Sequence, residues 1–212
     1  MRLIIRDIRK KYNDLDIIDD VSYTFESGRV YGITGGEGAG KTTLLKCICG
    51  DCRPDRGIVR IDYGRKMQRP VCAEFAFLRK EGTLPEYMTV SEYENYCALL
   101  HNVTETGKAG HCMELMKLGD IKDRLIKDTT DEERLRIRLA AVLISTPPVV
   151  MLDGIWNPAE EKGRAFIENI RSGHIVIVTS DKPEVLEPVC DEIISLYGGK
   201  LSFGKPVGGI NA

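Results

Sequence analysis

The sequence has almost no net charge: 30 Lys and Arg stand against 32 Asp and Glu, a formal charge of −2 over 212 residues. A balance this even gives no bulk attraction for nucleic acid or for an anionic membrane surface. No apolar run approaches the roughly 20 residues that a spanning helix needs. Met1-Arg2-Leu3-Ile4-Ile5-Arg6-Asp7 also lacks the pattern of a signal peptide. The chain is therefore expected to be cytoplasmic, without direct membrane insertion, so that any membrane association comes through a partner. Long repeats, low-complexity tracts and linkers are missing too, and the length suits one substantial core, an α/β domain with a smaller lobe. A disulfide framework is equally unsupported. The seven cysteines, at 47, 49, 52, 72, 97, 112 and 190, are odd in number and scattered. Cys49-Gly50-Asp51-Cys52 is formally C-x-x-C, but it falls at the C-terminal end of an expected helix, where no dipole lowers a thiol pKa.

What is present is a phosphate-binding pattern. Gly35-Gly36-Glu37-Gly38-Ala39-Gly40-Lys41-Thr42 fits G-x-x-x-x-G-K-[ST]. Before it, Gly28 to Thr34 reads as a turn and a buried strand; after it, Thr42 to Cys49 has helical spacing and stops at Gly50. Glycines at 35, 38 and 40 let backbone N–H groups turn inward as an anion nest at a helix N-terminus. Lys41 is expected to span the β- and γ-phosphates, and the Thr42 hydroxyl to ligate Mg²⁺. The nucleotide contacts predicted are therefore Gly35, Gly36, Glu37, Gly38, Ala39, Gly40, Lys41, Thr42 and Thr43. No Asn-Lys-x-Asp motif for guanine occurs.

Around this loop the chain reads as modules. Residues 2 to 31 alternate apolar and polar about a turn at Lys11-Tyr12-Asn13-Asp14, which predicts an antiparallel layer. Val149-Val150-Met151-Leu152 and Ile175-Val176-Ile177-Val178 read as central parallel strands. A helical lobe is expected over about 84–146, with a capping box at Ser91-Glu92-Tyr93-Glu94 opening a helix to about His101 and an amphipathic segment from Met113 to Leu118.

In this order the features resemble the nucleotide-binding domain of ATP-binding cassette (ABC) transporters. The resemblance begins with Tyr12, Ile18 to Phe25, the phosphate loop and Pro54 to Ile61, and continues through Tyr87-Met88-Thr89-Val90-Ser91-Glu92 to Cys190-Asp191-Glu192-Ile193-Ile194 and Gly198-Gly199-Lys200-Leu201. It implies one ABC-type domain over 1–212: a phosphate-loop NTPase core with a parallel central sheet, an N-terminal antiparallel layer and a helical lobe. It also implies ATP and Mg²⁺ as ligands, with Tyr12 stacked on adenine, worth on the order of 1 kcal/mol. Asp153, at the end of an apolar strand, matches the Walker B aspartate that holds Mg²⁺ through water.

Several family stations are altered. The glutamate that follows the Walker B aspartate is replaced by Gly154, which can accept no proton, and loss of a general base commonly lowers rate by roughly 10² to 10⁴. The following Ile155-Trp156-Asn157-Pro158 is shorter than the family's stretch. The Q-loop glutamine aligns with Lys80 and the switch histidine with Asp181; a carboxylate accepts hydrogen bonds and donates none. No catalytic residue is therefore assigned. The signature Leu-Ser-Gly-Gly-Gln aligns with Thr129-Thr130-Asp131-Glu132-Glu133, a capping box that favours the helix while its acids oppose a partner's γ-phosphate. One carboxylate about 6 Å from one phosphate charge repels by roughly 3 kcal/mol at an effective dielectric near 20, and three acids are available.

Two functions follow. One is an ATP-binding subunit that hydrolyses poorly and serves as a regulatory or structural cassette, peripheral on the inner face of the cell membrane, partnered by a permease and by a second, competent cassette. The other is an active ATPase that powers transport through substituted groups.

Overall fold

The computed structural model describes residues 1–79, 82–155 and 161–203. The chain divides into two compact units, Met1–Lys80 with Pro148–Ala212, and Glu81–Pro147.

In the first unit, strands β1 (Arg2–Tyr12) and β2 (Leu15–Glu26) form an antiparallel hairpin. Its two-residue turn places Asn13 at φ 47° and Asp14 at φ 64°, the left-handed pair that matches the right-handed twist of the flanking strands. Strand β4 (Arg56–Asp62) pairs with the other edge of β1, and β5 (Met67–Gln68) pairs with β4, giving the order β2-β1-β4-β5. The second sheet contains β3 (Arg29–Thr34), β6 (Phe75–Arg79), β7 (Val149–Asp153), β8 (Ile175–Ser180), β9 (Glu192–Tyr197) and β10 (Lys200–Phe203). Its order is β10-β9-β3-β8-β7-β6; β10 runs antiparallel to β9, and the other pairings are parallel.

Helix α1 (Lys41–Cys49) joins the two sheets into one core. Leu44, Leu45 and Ile48 are buried in a single apolar cluster with Leu3, Ile5 and Phe25 of the smaller sheet and Ile33, Met151 and Ile177 of the larger. Burying side chains of this size stabilises by about 1.5–3 kcal/mol each. The helix stops at Gly50, whose φ of 88° returns its N–H to the Lys46 carbonyl. Helix α5 (Glu161–Arg171) adds Phe166, Ile167 and Ile170 to the buried residues.

The second unit holds α2 (Val90–Leu100), α3 (Lys108–Leu115) and α4 (Asp131–Ser145). Two sequence expectations move here. The capping box of α2 is Thr89 with Glu92, not Ser91 with Glu94: the Thr89 side chain accepts from the Glu92 N–H, and Glu92 returns a 2.8 Å bond to the Thr89 N–H. Thr89 has the extended backbone of a cap, while Ser91 is already inside the helix and Glu94 is fully buried. Helix α3 starts five residues before Met113 and ends three before Leu118. Its inward face runs through Ala109 and Cys112 to Met116, residues too small at their first two positions to give a strong apolar signal. The α4 box is as expected, with Glu133 bonding the Thr130 N–H at 2.8 Å. These elements give the α/β class that the sequence indicates, with a parallel central sheet, an antiparallel layer and a helical unit.

Candidate nucleotide site

Three neighbouring parallel strands set the site. In β3, β8 and β7 the register opposes Thr34 to Ser180 and Thr179 to Asp153, so their C-terminal ends form one rim, the edge at which α/β sheets bind ligands. The glycine-rich loop leaves β3 at this rim and enters α1. Gly35 is required by close approach, since a Cβ there would lie 2.5 Å from the Leu196 carbonyl oxygen. Gly40, the residue before α1, has φ 98°, and a Cβ would press on Ile17 at 3.0 Å. At Gly36 and Gly38 a Cβ would meet nothing within 4 Å, so the outer side of the loop is open. Ala39 closes the turn by donating its N–H to the Gly36 carbonyl at 3.1 Å.

Lys41 folds back over this loop. Its ammonium donates to the Gly35 carbonyl at 2.6 Å, the Gly36 carbonyl at 3.0 Å and the Asp181 carboxylate at 2.5 Å. Thr42 donates its hydroxyl to Asp153 Oδ2 at 2.7 Å, and Thr179 donates to Asp153 Oδ1 at 2.6 Å. The predicted metal pair, Thr42 and Asp153, is thus brought together from α1 and β7. Hydroxyl and carboxylate oxygens are the donors that a hard divalent cation prefers, and Mg²⁺ typically takes few protein ligands beside phosphate and water. Among the described residues no cluster of three or more His, Cys, Asp or Glu could hold a metal.

The assembled loop, lysine, hydroxyl and strand-end carboxylate coincide with a match to the ABC transporter family profile over residues 18–157. The chain belongs to the ABC transporter family. It is 25% identical over 214 residues to the uncharacterized ABC transporter ATP-binding protein YybJ of Bacillus subtilis, covering 96% of each chain. It is 30% identical over 209 residues to the uncharacterized ABC transporter ATP-binding protein YhcH of the same organism, covering 94% of this chain and 68% of that one. A solved structure from Pyrococcus furiosus, described as an ABC transporter ATP-binding protein, superposes with a TM-score of 0.78 at 26% identity, over 92% of this cassette and 98% of its own chain.

The other sequence-predicted positions of the cassette divide. Tyr12 lies at the end of β1 with its ring half exposed; Lys10 Nζ sits 5.4 Å from the ring centroid and the hydroxyl lies 3.4 Å from Cys52 Sγ. Its described contacts are thus with Lys10 and Cys52. Glu37 and Gly38 are exposed at the loop tip and Thr43 is half-buried. Gly154 follows Asp153 with φ 59° and open space around a Cβ. Ser180 closes β8 and Asp181 follows it, and neither carries an imidazole. Lys80 and the segment 156–158 lie outside the described residues.

Two features were missed by sequence reasoning. Thr179 was not singled out, because its role depends on the β7–β8 register that sets it opposite Asp153. The Lys41–Asp181 pair joins residues 140 positions apart and has no local signal.

In the helical unit, the three acids at 131–133 differ in their surroundings. Glu133 is engaged within the chain: it accepts from the Thr130 N–H at 2.8 Å and from Arg124 Nη1 at 3.1 and 3.2 Å. The Thr130 N–H bond, chief among these contacts, holds its carboxyl below the usual range. Asp131 and Glu132 are exposed in the first turn of α4. Cys47 and Cys49 are buried and unbridged; burial pushes the Cys47 thiol up to about 12, which suits an inert core residue.

Proposed function

We propose that this chain is the ATP-binding subunit of an ABC-type transport system, one that binds Mg-nucleotide but hydrolyses ATP poorly and acts as a regulatory or structural cassette. The observation that carries the reading is the contrast at the rim of the larger sheet. The binding half is assembled, with Lys41 on the loop and Thr42 on Asp153 at 2.7 Å, while the residue that follows β7 is a glycine. Backbone N–H groups of residues 36 to 43, Lys41 and Thr42 would hold the phosphates, Thr42 and Asp153 the Mg²⁺, and Tyr12 the adenine. Bound Mg²⁺ would neutralise phosphate charge; no side chain at 154 would take a proton from water.

A membrane permease is the partner that family membership implies, and a second cassette with an intact signature is the partner that would complete the Lys41 site. Among the described residues no helix is long and apolar enough to cross a membrane, so location at the inner face of the cell membrane would depend on that permease.

Calorimetry with MgATP and MgADP, paired with steady-state phosphate release, tests the reading. The wild type should bind both nucleotides, Lys41→Ala should lose most of that binding, and turnover should be slow with or without a candidate permease. Gly154→Glu should restore little: the space is open, but φ 59° disfavours a side chain and the switch position remains altered. Absence of binding at millimolar nucleotide would sink the binding claim. Robust wild-type turnover abolished by Lys41→Ala would establish the active-ATPase reading instead.

A further inference from the structure

An ammonium has three N–H donors, and on Lys41 all three are engaged. Two bond carbonyls of its own loop, at Gly35 and Gly36, and the third bonds the Asp181 carboxylate at 2.5 Å. The Lys41 side chain is only 11% exposed, whereas that of Asp181 is 60% exposed. Lys41 is therefore fixed by its surroundings, and Asp181 is the partner free to rotate away. An ammonium in this loop reaches the β- and γ-phosphates of a nucleoside triphosphate. A carboxylate oxygen already stands against it, in hydrogen-bond contact and with the same sign of charge as a phosphate oxygen.

From this contact we propose that Asp181 is a specificity-determining residue, standing on Lys41 in place of a γ-phosphate and biasing the site toward nucleoside diphosphates over triphosphates. With a diphosphate bound, Lys41 exchanges one of its loop-carbonyl bonds for the β-phosphate and keeps Asp181 as its other anionic partner. With a triphosphate, the γ-phosphate meets the carboxylate, and either the Lys41–Asp181 bond breaks or two anions share one ammonium. The pair is largely solvated on the Asp181 side, which keeps the effect modest. The proposal rests on nucleotide binding at this loop, as set out above.

Calorimetric titration with MgADP, MgATP and a non-hydrolysable ATP analogue, on the full chain and its variants, tests it. The wild type should bind MgADP more tightly than either triphosphate. In Asp181→Asn the ratio of triphosphate to diphosphate Kd should fall by about tenfold, within the usual range of coupling between neighbouring sites. Asp181→Glu, which retains the charge, should keep a preference for the diphosphate. A ratio in Asp181→Asn within about twofold of wild type, with MgADP still bound, would overturn the proposal and leave the nucleotide-binding reading intact. Loss of MgADP binding in Asp181→Asn would make Asp181 a support of the loop, and would also overturn it. If the wild type binds none of the three nucleotides, the binding reading fails and this proposal falls with it.

Discussion

Replacing Glu94 should stabilise the protein, and increasingly so as pH rises. Glu94 lies in α2 with no exposed surface, and among the described residues neither carboxyl oxygen has a hydrogen-bond partner. Burial pushes its pKa up to about 9 from a reference value of 4.5. Between those values the folded state keeps a proton that the unfolded state releases, so unfolding is increasingly favoured as pH rises, with a slope of up to about 1.4 kcal/mol per pH unit. The contribution of Glu94 is fully present below about pH 4.5 and is lost as pH climbs toward about 9. The loss amounts to about 3 kcal/mol at pH 7 and about 6 kcal/mol at pH 9. Glu94→Gln removes the titration while keeping the shape, and Glu94→Leu also removes the unpaired oxygens. Urea unfolding at pH 5, 7 and 8.5 should show both variants gaining on the wild type as pH increases, with the gap widening by at least about 2 kcal/mol across the series. Carboxylates held below the usual range, such as Glu133, act in the opposite sense in every variant and cancel in the difference. A gap between variant and wild type that does not change with pH would refute the argument, because it would mean that Glu94 ionises in the folded state much as it does in the unfolded chain.

Thr179→Val should weaken the Mg²⁺-dependent part of ATP binding several-fold, because Asp153 loses the 2.6 Å bond that orients its Oδ1. Titrations with Mg²⁺ and with EDTA separate that part, and an equal Mg²⁺ increment in variant and wild type would count against it. ATP should not convert the wild type into a tight homodimer if Asp131 and Glu132, exposed in the first turn of α4, occupy the place that the family resemblance assigns to the signature. Sedimentation in excess MgATP, comparing wild type with Asp131→Gly/Glu132→Gly, tests this; a stable ATP-dependent wild-type dimer would show that these acids point away from the interface.

Local signals carried much of the fold. The turn expected at Lys11-Tyr12-Asn13-Asp14 narrows to Asn13-Asp14, since Lys11 and Tyr12 end β1. The antiparallel layer expected over residues 2 to 31 stops at Glu26, since Arg29–Thr34 pairs in parallel. The Thr130/Glu133 box marks the start of α4 to the residue. Where two overlapping patterns competed, as at Thr89/Glu92 and Ser91/Glu94, sequence chose wrongly, because both satisfy the same S/T-x-x-E spacing. The choice depends on which glutamate the neighbouring helices bury, and that is a property of packing.

The sequence by itself determined the phosphate loop, the two apolar strands behind it and the family, because each is written in residues within a few positions of one another and is enforced by backbone geometry. It also determined that the residue after Asp153 offers no side chain, since residue 154 is a glycine in any fold. Only the tertiary structure decided which groups meet and which are buried: Thr179 with Asp153 through the β7–β8 register, Asp181 with Lys41 across the rim, and Glu94 inside the helical unit with no hydrogen-bond partner among the described residues. Those contacts join residues that are distant in the chain or depend on burial. Their energies are set by distance, solvent and neighbouring charge, quantities that exist only once the chain has packed.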